Sequence, residues 1–249
     1  MSPAGSGRRV YGTHAVGEVL RARPRDVQVV FVAEGRKPDA ALDEALSRAS
    51  LEAEPRTPAD LDRLAEGGRH QGVLAIVGAY PYQTLDEVLA PTAAVPGPLV
   101  VLDQVQDPRN LGAIVRSAYA LGSAGLVLPE RRAAGVTGAV VRTSAGATEH
   151  LPICRVVNLV RALGAMRAAG WWLVGAAGEG GQPPEALDLA DRVAVVVGSE
   201  GKGLRPSTTK QCDFRVSIPM AGDLDSLNVS VAAGILLAEA ARQRRRRND

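Results

Sequence analysis

Polar and apolar positions alternate along this chain with two different periods, and the change between them marks its organisation. In the second half, short apolar runs stand at residues 99–102, 125–128, 172–176, 193–197 and 215–218. Between and after them, apolar residues recur every three or four positions over 110–121, 136–146, 157–169 and 226–243. Short runs of this kind read as strands buried on both faces, and the three-to-four spacing reads as helix. Their succession predicts a parallel sheet covered by helices on both sides. The first part is a smaller α/β unit. It has strands at 27–33 and 72–79 and helices at 38–49 and 58–64, opened by Pro38 and Pro58, where a missing amide is tolerated. Residues 81–98, rich in Pro and Ala, read as a linker with one short helical turn. The expected layout is an α/β unit over 1–80, a linker over 81–98 and a larger α/β domain over 99–249, with no internal repeat.

The last helix breaks the amphipathic pattern. Ser226 to Ala238 holds no charged residue in 13 positions. A helix apolar on every side is buried on every side. The sheet can cover one face and a second copy of the chain the other, in a homodimer; a central core helix of a monomer is the competing reading. Composition adds that the core is aliphatic, since 46% of the 249 residues are hydrophobic and only 3% aromatic. Cys154 and Cys212 stand far apart without a CxxC or histidine companion, so neither a metal site nor a disulfide framework is expected, and a reducing compartment fits. Met1 to Gly7 does not read as a secretory leader, and no apolar window is long enough to span a bilayer. A soluble, cytoplasmic protein is expected, with no membrane partner.

The net charge of +2 predicts little, but its distribution says more. Residues 1–97 carry 11 basic and 13 acidic side chains, a net of −2, and residues 98–249 carry 18 and 14, a net of +4. Five of those positives lie in Arg242-Gln-Arg-Arg-Arg-Arg247, and Arg8, Arg9, Arg21, Arg23 and Arg25 form a second cluster. Such blocks are electrostatic footprints for polyanions, with a solvated tail as the alternative.

Three segments carry the candidate chemistry, each where a strand gives way to a helix, the usual site position in α/β folds. In the first, Asp107 to Arg116, Asn110 is the expected helix N-cap, and Arg116 lies beside the apolar face with a long reach along its own helix. The second, Gly198-Ser-Glu-Gly-Lys-Gly203, imitates a phosphate loop but fails its spacing, because Val196 occupies the first glycine position and Gly203 follows Lys202. Glu200 inside that turn would repel phosphate, which argues against an ATPase. In the third, Ile218 to Val229, Asp225 or Ser226 is the expected cap, and Asn228 is a polar side chain in an otherwise apolar first turn that requires a partner.

The order Asn110-Leu-Gly-Ala-Ile-Val-Arg116, Gly198-Ser-Glu-Gly-Lys-Gly-Leu204, Ile218-Pro-Met220 and Ser226-Leu-Asn-Val-Ser-Val-Ala-Ala-Gly-Ile235 resembles the three motifs of the SpoU class of SPOUT RNA methyltransferases. Val10-Tyr-Gly-Thr-His14 and His70-Gln-Gly-Val-Leu74 resemble the N-terminal extension of members that methylate a guanosine ribose in large-subunit ribosomal RNA. The resemblance implies an α/β fold with a deep trefoil knot in the C-terminal domain and a small L30e-like N-terminal domain. It implies a homodimer, S-adenosylmethionine as cofactor, no metal, and 2′-O-methylation of ribosomal RNA, most specifically a guanosine of 23S rRNA. Carried over residue by residue, Gly198, Ile218, Leu227, Met220, Ala176 and Gly178 are the expected cofactor contacts, and Asn110, Arg116, Glu200, Ser226 and Asn228 the catalytic set. A guanidinium gives up its proton only above about pH 12. Arg116 is therefore expected to stabilise the developing alkoxide, oriented by Glu200 and Asn228, rather than to act as base. Arg8, Arg9, His14, Arg21, Arg69, His70 and Gln71 are the expected RNA contacts, with a satisfied structural histidine as the alternative at His14 and His70. The alternatives at the level of function are ribose methylation of transfer RNA or another ribosomal site, including resistance enzymes, and a non-catalytic RNA-binding module.

Overall fold

The computed structural model describes residues 7–36, 39–90, 97–222 and 226–248. Pro38, part of the expected linker (91–96) and the expected cap Asp225 lie outside them. In chain order the elements are β1 (Arg8–Tyr11), α1 (Thr13–Ala22), β2 (Val27–Ala33), α2 (Ala40–Ala49), β3 (Ala53–Arg56), α3 (Pro58–Ala65), β4 (Val73–Val77), α4 (Leu85–Leu89), β5 (Leu99–Asp103) and α5 (Pro108–Ala120). There follow β6 (Gly125–Pro129), α6 (Gly138–Thr143), β7 (Ile153–Val156), α7 (Leu159–Ala168), β8 (Trp172–Ala176), β9 (Val193–Gly198), α8 (Pro206–Thr209), β10 (Phe214–Val216) and α9 (Val229–Asn248).

Two compact units form. The first joins Met1–Pro81 to Gly135–His150, and the second joins Tyr82–Ala134 to Leu151–Asp249. The first is built on a four-stranded sheet in the order β1-β4-β2-β3, with β2 and β3 parallel and the other pairs antiparallel. Leu61 and Leu74 are fully buried against Phe31 on one side of this sheet. The segment Gly135–His150 docks on the same unit by its backbone. A Cβ at Gly138 would lie 1.7 Å from the carbonyl oxygen of Arg9, so only glycine permits that approach. The buried carboxylate of Glu149 then takes ion pairs from Arg8, at 3.5 Å, and from Arg23. The ring of Tyr80 lies under both guanidinium groups at 5.1 and 4.9 Å, and its hydroxyl donates to the carbonyl of Thr148 at 2.6 Å.

The second unit carries the expected parallel sheet, six strands in the order β10-β8-β9-β5-β6-β7, every pair parallel. Its central strands β5 and β9 are buried along their whole length, which is why they read as unbroken apolar runs. Leu159, Leu163 and Met166 of α7 pack on one face of the sheet. Ala233, Leu236, Leu237 and Ala240 of α9 are buried, and α9 lies against both α5 and β9. Helix α9 begins at Val229 rather than 226 and continues through the arginine run to Asn248, so that run is ordered helix and not a frayed tail. No helix among the described residues is long and apolar enough to cross a membrane.

Both cysteines are free, and burial pushes each thiol up to about 11, with Asp86 and Glu87 adding to this at Cys154 and Asp213 at Cys212. The thiolate is the reactive form, and at pH 8 it amounts to about 0.1% of each site. Labelling of the native protein by a disulfide reagent at pH 8 is expected to run at least about tenfold slower than after unfolding in urea. Equal rates would show that the thiols are not buried as described.

Candidate functional site

The carboxyl ends of β5, β8, β9 and β10 meet at one edge of the second unit, and the three motif segments converge there. The turn after β9 sets the geometry. Ser199 and Gly203 exchange backbone hydrogen bonds of 3.1 and 2.9 Å, closing a loop that presents Glu200 at its tip. Gly198 makes this closure possible, since a Cβ there would stand 2.1 Å from the carbonyl carbon and oxygen of Gly203. The loop is tied down from behind by Asp103, the last residue of β5 and fully buried. It accepts from the amide of Arg205 at 3.0 Å and from its Nε at 2.7 Å. Sequence reading missed this pair; a charged residue closing an apolar strand was the available signal.

At the head of α5 the N-cap is Asp107, whose carboxylate accepts from the amide of Arg109 at 2.8 Å, with Pro108 in the first helical position. Asn110 is therefore inside the first turn, not its cap. Its buried side chain is freed to bind across the site. Asn228 Nδ2 donates to Asn110 Oδ1 at 3.0 Å, and Asn228 Nδ2 and Asn110 Nδ2 each reach one oxygen of Glu200 at 3.4 Å. Asn228 also caps α9, accepting from the amide and hydroxyl of Ser230 at 2.9 and 2.6 Å. Ser226, exposed and three residues before the helix, does not cap it. Residues separated by 90 and 118 positions thus form one polar network. Arg116 is exposed on α5 and makes no hydrogen bond or ion pair with Glu200 or Asn228. The expected orientation of Arg116 by those two is absent from the described residues.

Beside the network opens a cleft of about 300 Å³. All six expected cofactor contacts line it: Ala176 and Gly178 after β8, Gly198 ending β9, and Ile218, Met220 and Leu227 from the third segment. Glu200 and Ser226 border it as well. Glycines, alanines and aliphatic side chains make up most of its lining, with Glu200 and Lys202 as its charged members. That composition suits a flat, partly apolar ligand of drug-like size. No group of three His, Cys, Asp or Glu side chains that could hold a metal ion occurs among the described residues.

The expected RNA contacts divide on the first unit. Arg8 is buried beneath Tyr80 and paired with Glu149, so it is structural and drops out of the set. His70 fits the structural-histidine alternative: its Nδ1 accepts from the amide of Gly72 at 3.0 Å and its Nε2 meets Asp62 at 3.0 Å, pinning the turn before β4. Arg9 pairs with Glu66 and Arg21 with Glu18 at the surface. His14, Arg69 and Gln71 are exposed, and neither His14 nor Arg69 forms a hydrogen bond or ion pair among the described residues. Arg142 of α6, which sequence reading left out, runs its stem beside Gly12 and Gln71 on the same surface.

Comparison with known proteins agrees with this layout. The family described as SpoU rRNA Methylase matches residues 97–238, and RNA 2′-O ribose methyltransferase substrate binding matches residues 9–83. A relative from Mycolicibacterium vanbaalenii, described as an uncharacterized tRNA/rRNA methyltransferase, is 47% identical over 95% of this chain and 76% of its own. The crystal structure of the SpoU methyltransferase AviRb from Streptomyces viridochromogenes, solved with AdoMet, superposes with a TM-score of 0.79. It is 30% identical and matched over 96% of this chain and 90% of its own. A solved RNA 2′-O ribose methyltransferase gives 0.78 at 28% identity, over 96% of this chain and 90% of its own. The chain belongs to the SpoU rRNA methylase family, with the family's substrate-binding domain ahead of its methylase region.

Proposed function

We propose that this methyltransferase uses S-adenosylmethionine to methylate a ribose 2′-hydroxyl of ribosomal RNA, a guanosine of 23S rRNA being the favoured target. The observation that carries the reading is the adjacency of a small-residue and aliphatic cleft to the Asn110–Glu200–Asn228 network. The cleft fits the cofactor chemically. Gly178 lets backbone come close to a flat ring, Ile218 and Leu227 offer apolar contact, and Glu200, set in the cleft with Lys202, offers a carboxylate to a cationic sulfonium. When bound, the cofactor supplies an electrophilic methyl group. The chain's own work is then to hold and stabilise the nucleophile. Asn110 and Asn228 fix Glu200 in place, and Arg116, long and unpaired among the described residues, neutralises charge that develops on the 2′-oxygen as the hydroxyl proton passes to water, and holds the adjacent phosphate. A 2′-hydroxyl requirement makes RNA the substrate. His14, Arg69, Gln71 and Arg142 present the RNA-contacting surface of the first unit. The M. vanbaalenii relative's description leaves transfer RNA as the alternative substrate. The trefoil knot belongs to the same reading, supported by the family match over residues 97–238.

The homodimer is part of this proposal. Val231 and Ile235, one turn apart on α9, are 49% and 39% exposed, an apolar face on a helix already buried on its other side. Val231→Lys/Ile235→Lys is expected to halve the mass seen by light scattering, from twice 25.9 kDa to 25.9 kDa, and to abolish methyl transfer. A monomeric variant with full activity would remove the dimer from the account. Binding of S-adenosylmethionine to the purified protein, measured by calorimetry, tests the cleft, and no binding by a folded wild-type chain would refute the reading.

A further inference from the structure

The five arginines that close α9 do not share one task. Arg242 forks onto Glu239 at 2.6 and 2.7 Å, Arg247 pairs with Asp188, and Arg244 donates to the carbonyl of Gly122 at 3.1 Å. Between them, Gln243 donates to the carbonyl of Leu187 at 3.1 Å and accepts from the amide of Leu189 at 2.8 Å. These contacts pin the last turns of the helix to residues 187–189 and to the turn after α5. The hydrogen bond from Arg242 holds the Glu239 carboxyl down to about 2, so that this pair is neutral throughout the working range.

Arg245 and Arg246 remain. Both are exposed, and neither makes a hydrogen bond or ion pair among the described residues. Cations at a helix C-terminus are favourable to its dipole, but Arg242, Arg244 and Arg247 already supply that effect. Two adjacent guanidinium groups without a hydrogen bond or ion pair among the described residues, Arg246 adding only a longer-range pull on Glu239, sit on a helix end that is itself fastened down and are available to the phosphates of a polyanion. Seventeen helical steps separate Arg245 from Asn228, which places the pair about 25 Å along the helix from the polar network. The contact is therefore with a part of the substrate beyond the reacting nucleotide.

We infer that Arg245 and Arg246 bind backbone phosphates of the substrate RNA about 25 Å from the reacting ribose; this rests on the RNA-methylation reading above. The test uses the full chain with Arg245→Ala/Arg246→Ala and, as the charge-preserving control, Arg245→Lys/Arg246→Lys. Methyl transfer to a long 23S rRNA fragment is followed across a salt series. The Ala pair is expected to raise KM for RNA roughly five- to tenfold at low salt and to reduce the slope of log KM against log salt by about 1.5. The kcat at saturating RNA and the affinity for S-adenosylmethionine are expected to stay unchanged, and the Lys pair to recover most of the KM. A helix-stabilising role alone would lower the melting temperature and leave the salt slope as it was. An unchanged KM and slope in the Ala pair overturns the inference, including the case in which that variant instead loses binding to phosphatidylglycerol vesicles. If wild type transfers no methyl group to any RNA, the underlying functional reading fails instead.

Discussion

Arg116→Ala is expected to lower kcat by about 10²- to 10³-fold, the range seen when one preorganised donor to a developing oxyanion is removed. Affinity for S-adenosylmethionine should not change, because Arg116 does not line the cleft formed by Gly198, Ile218 and Leu227. A loss in kcat with no loss in cofactor binding marks an interaction made in the transition state. Arg116→Lys separates charge from shape. An ammonium keeps the charge but lacks the planar fork that can span an alkoxide and the neighbouring phosphate. It should recover no more than about a tenth of wild-type kcat. An alanine variant that kept a third or more of its activity would remove Arg116 from the chemistry and leave Glu200 as the candidate charged group.

The second large effect is on stability. Glu149→Ala is expected to destabilise the first unit by about 3–5 kcal/mol, the usual result of breaking a buried ion pair from one side. The Glu149 side chain has no exposure, and that of Arg8 is 8% exposed. Burial already pushes the Arg8 guanidinium below its ordinary value, with Glu149 opposing that push and Arg23 adding to it. Without Glu149 two guanidinium groups would face each other over Tyr80. Urea unfolding measures the cost, and a loss below about 1 kcal/mol would mean that water reaches the cluster. Arg8→Met/Arg23→Met/Glu149→Leu should recover most of the stability, since apolar replacement of a whole buried cluster is often neutral.

The sheet of the second unit was legible because its strands are buried on both faces and so read as continuous Val and Leu runs; residues 172–176 coincide with β8. The strands that escaped are those whose sequence carries their exposure. Arg8-Arg9-Val10-Tyr11 looks polar, Ala53-Glu-Pro-Arg56 contains a proline suited to an edge, and Ile153-Cys-Arg-Val156 lies at the end of its sheet. The six residues that motif order assigned to the cofactor all line one cleft. Motif order did not show that Asn110 lies inside the turn rather than at its cap, because Asp107, followed by Pro108, takes the capping role three positions earlier. Charge in a sequence is silent about burial, which is why Arg8 read as a surface contact; His70 takes the structural role that was its alternative. Nothing periodic announces that Gly135–His150 belongs with the first unit; that follows from a backbone contact at Gly138 and a carboxylate at Glu149, each completed by residues more than a hundred positions away.

One ribose of ribosomal RNA is the proposed acceptor of the methyl group. Purified protein incubated with S-adenosylmethionine and unmodified 23S rRNA, followed by mapping of alkali-resistant linkages, tests it most directly. The expected result is a single new 2′-O-methylated nucleotide, absent when Arg116→Ala replaces the wild type. Methylation confined to a base, or to transfer RNA with 23S rRNA untouched, would contradict it.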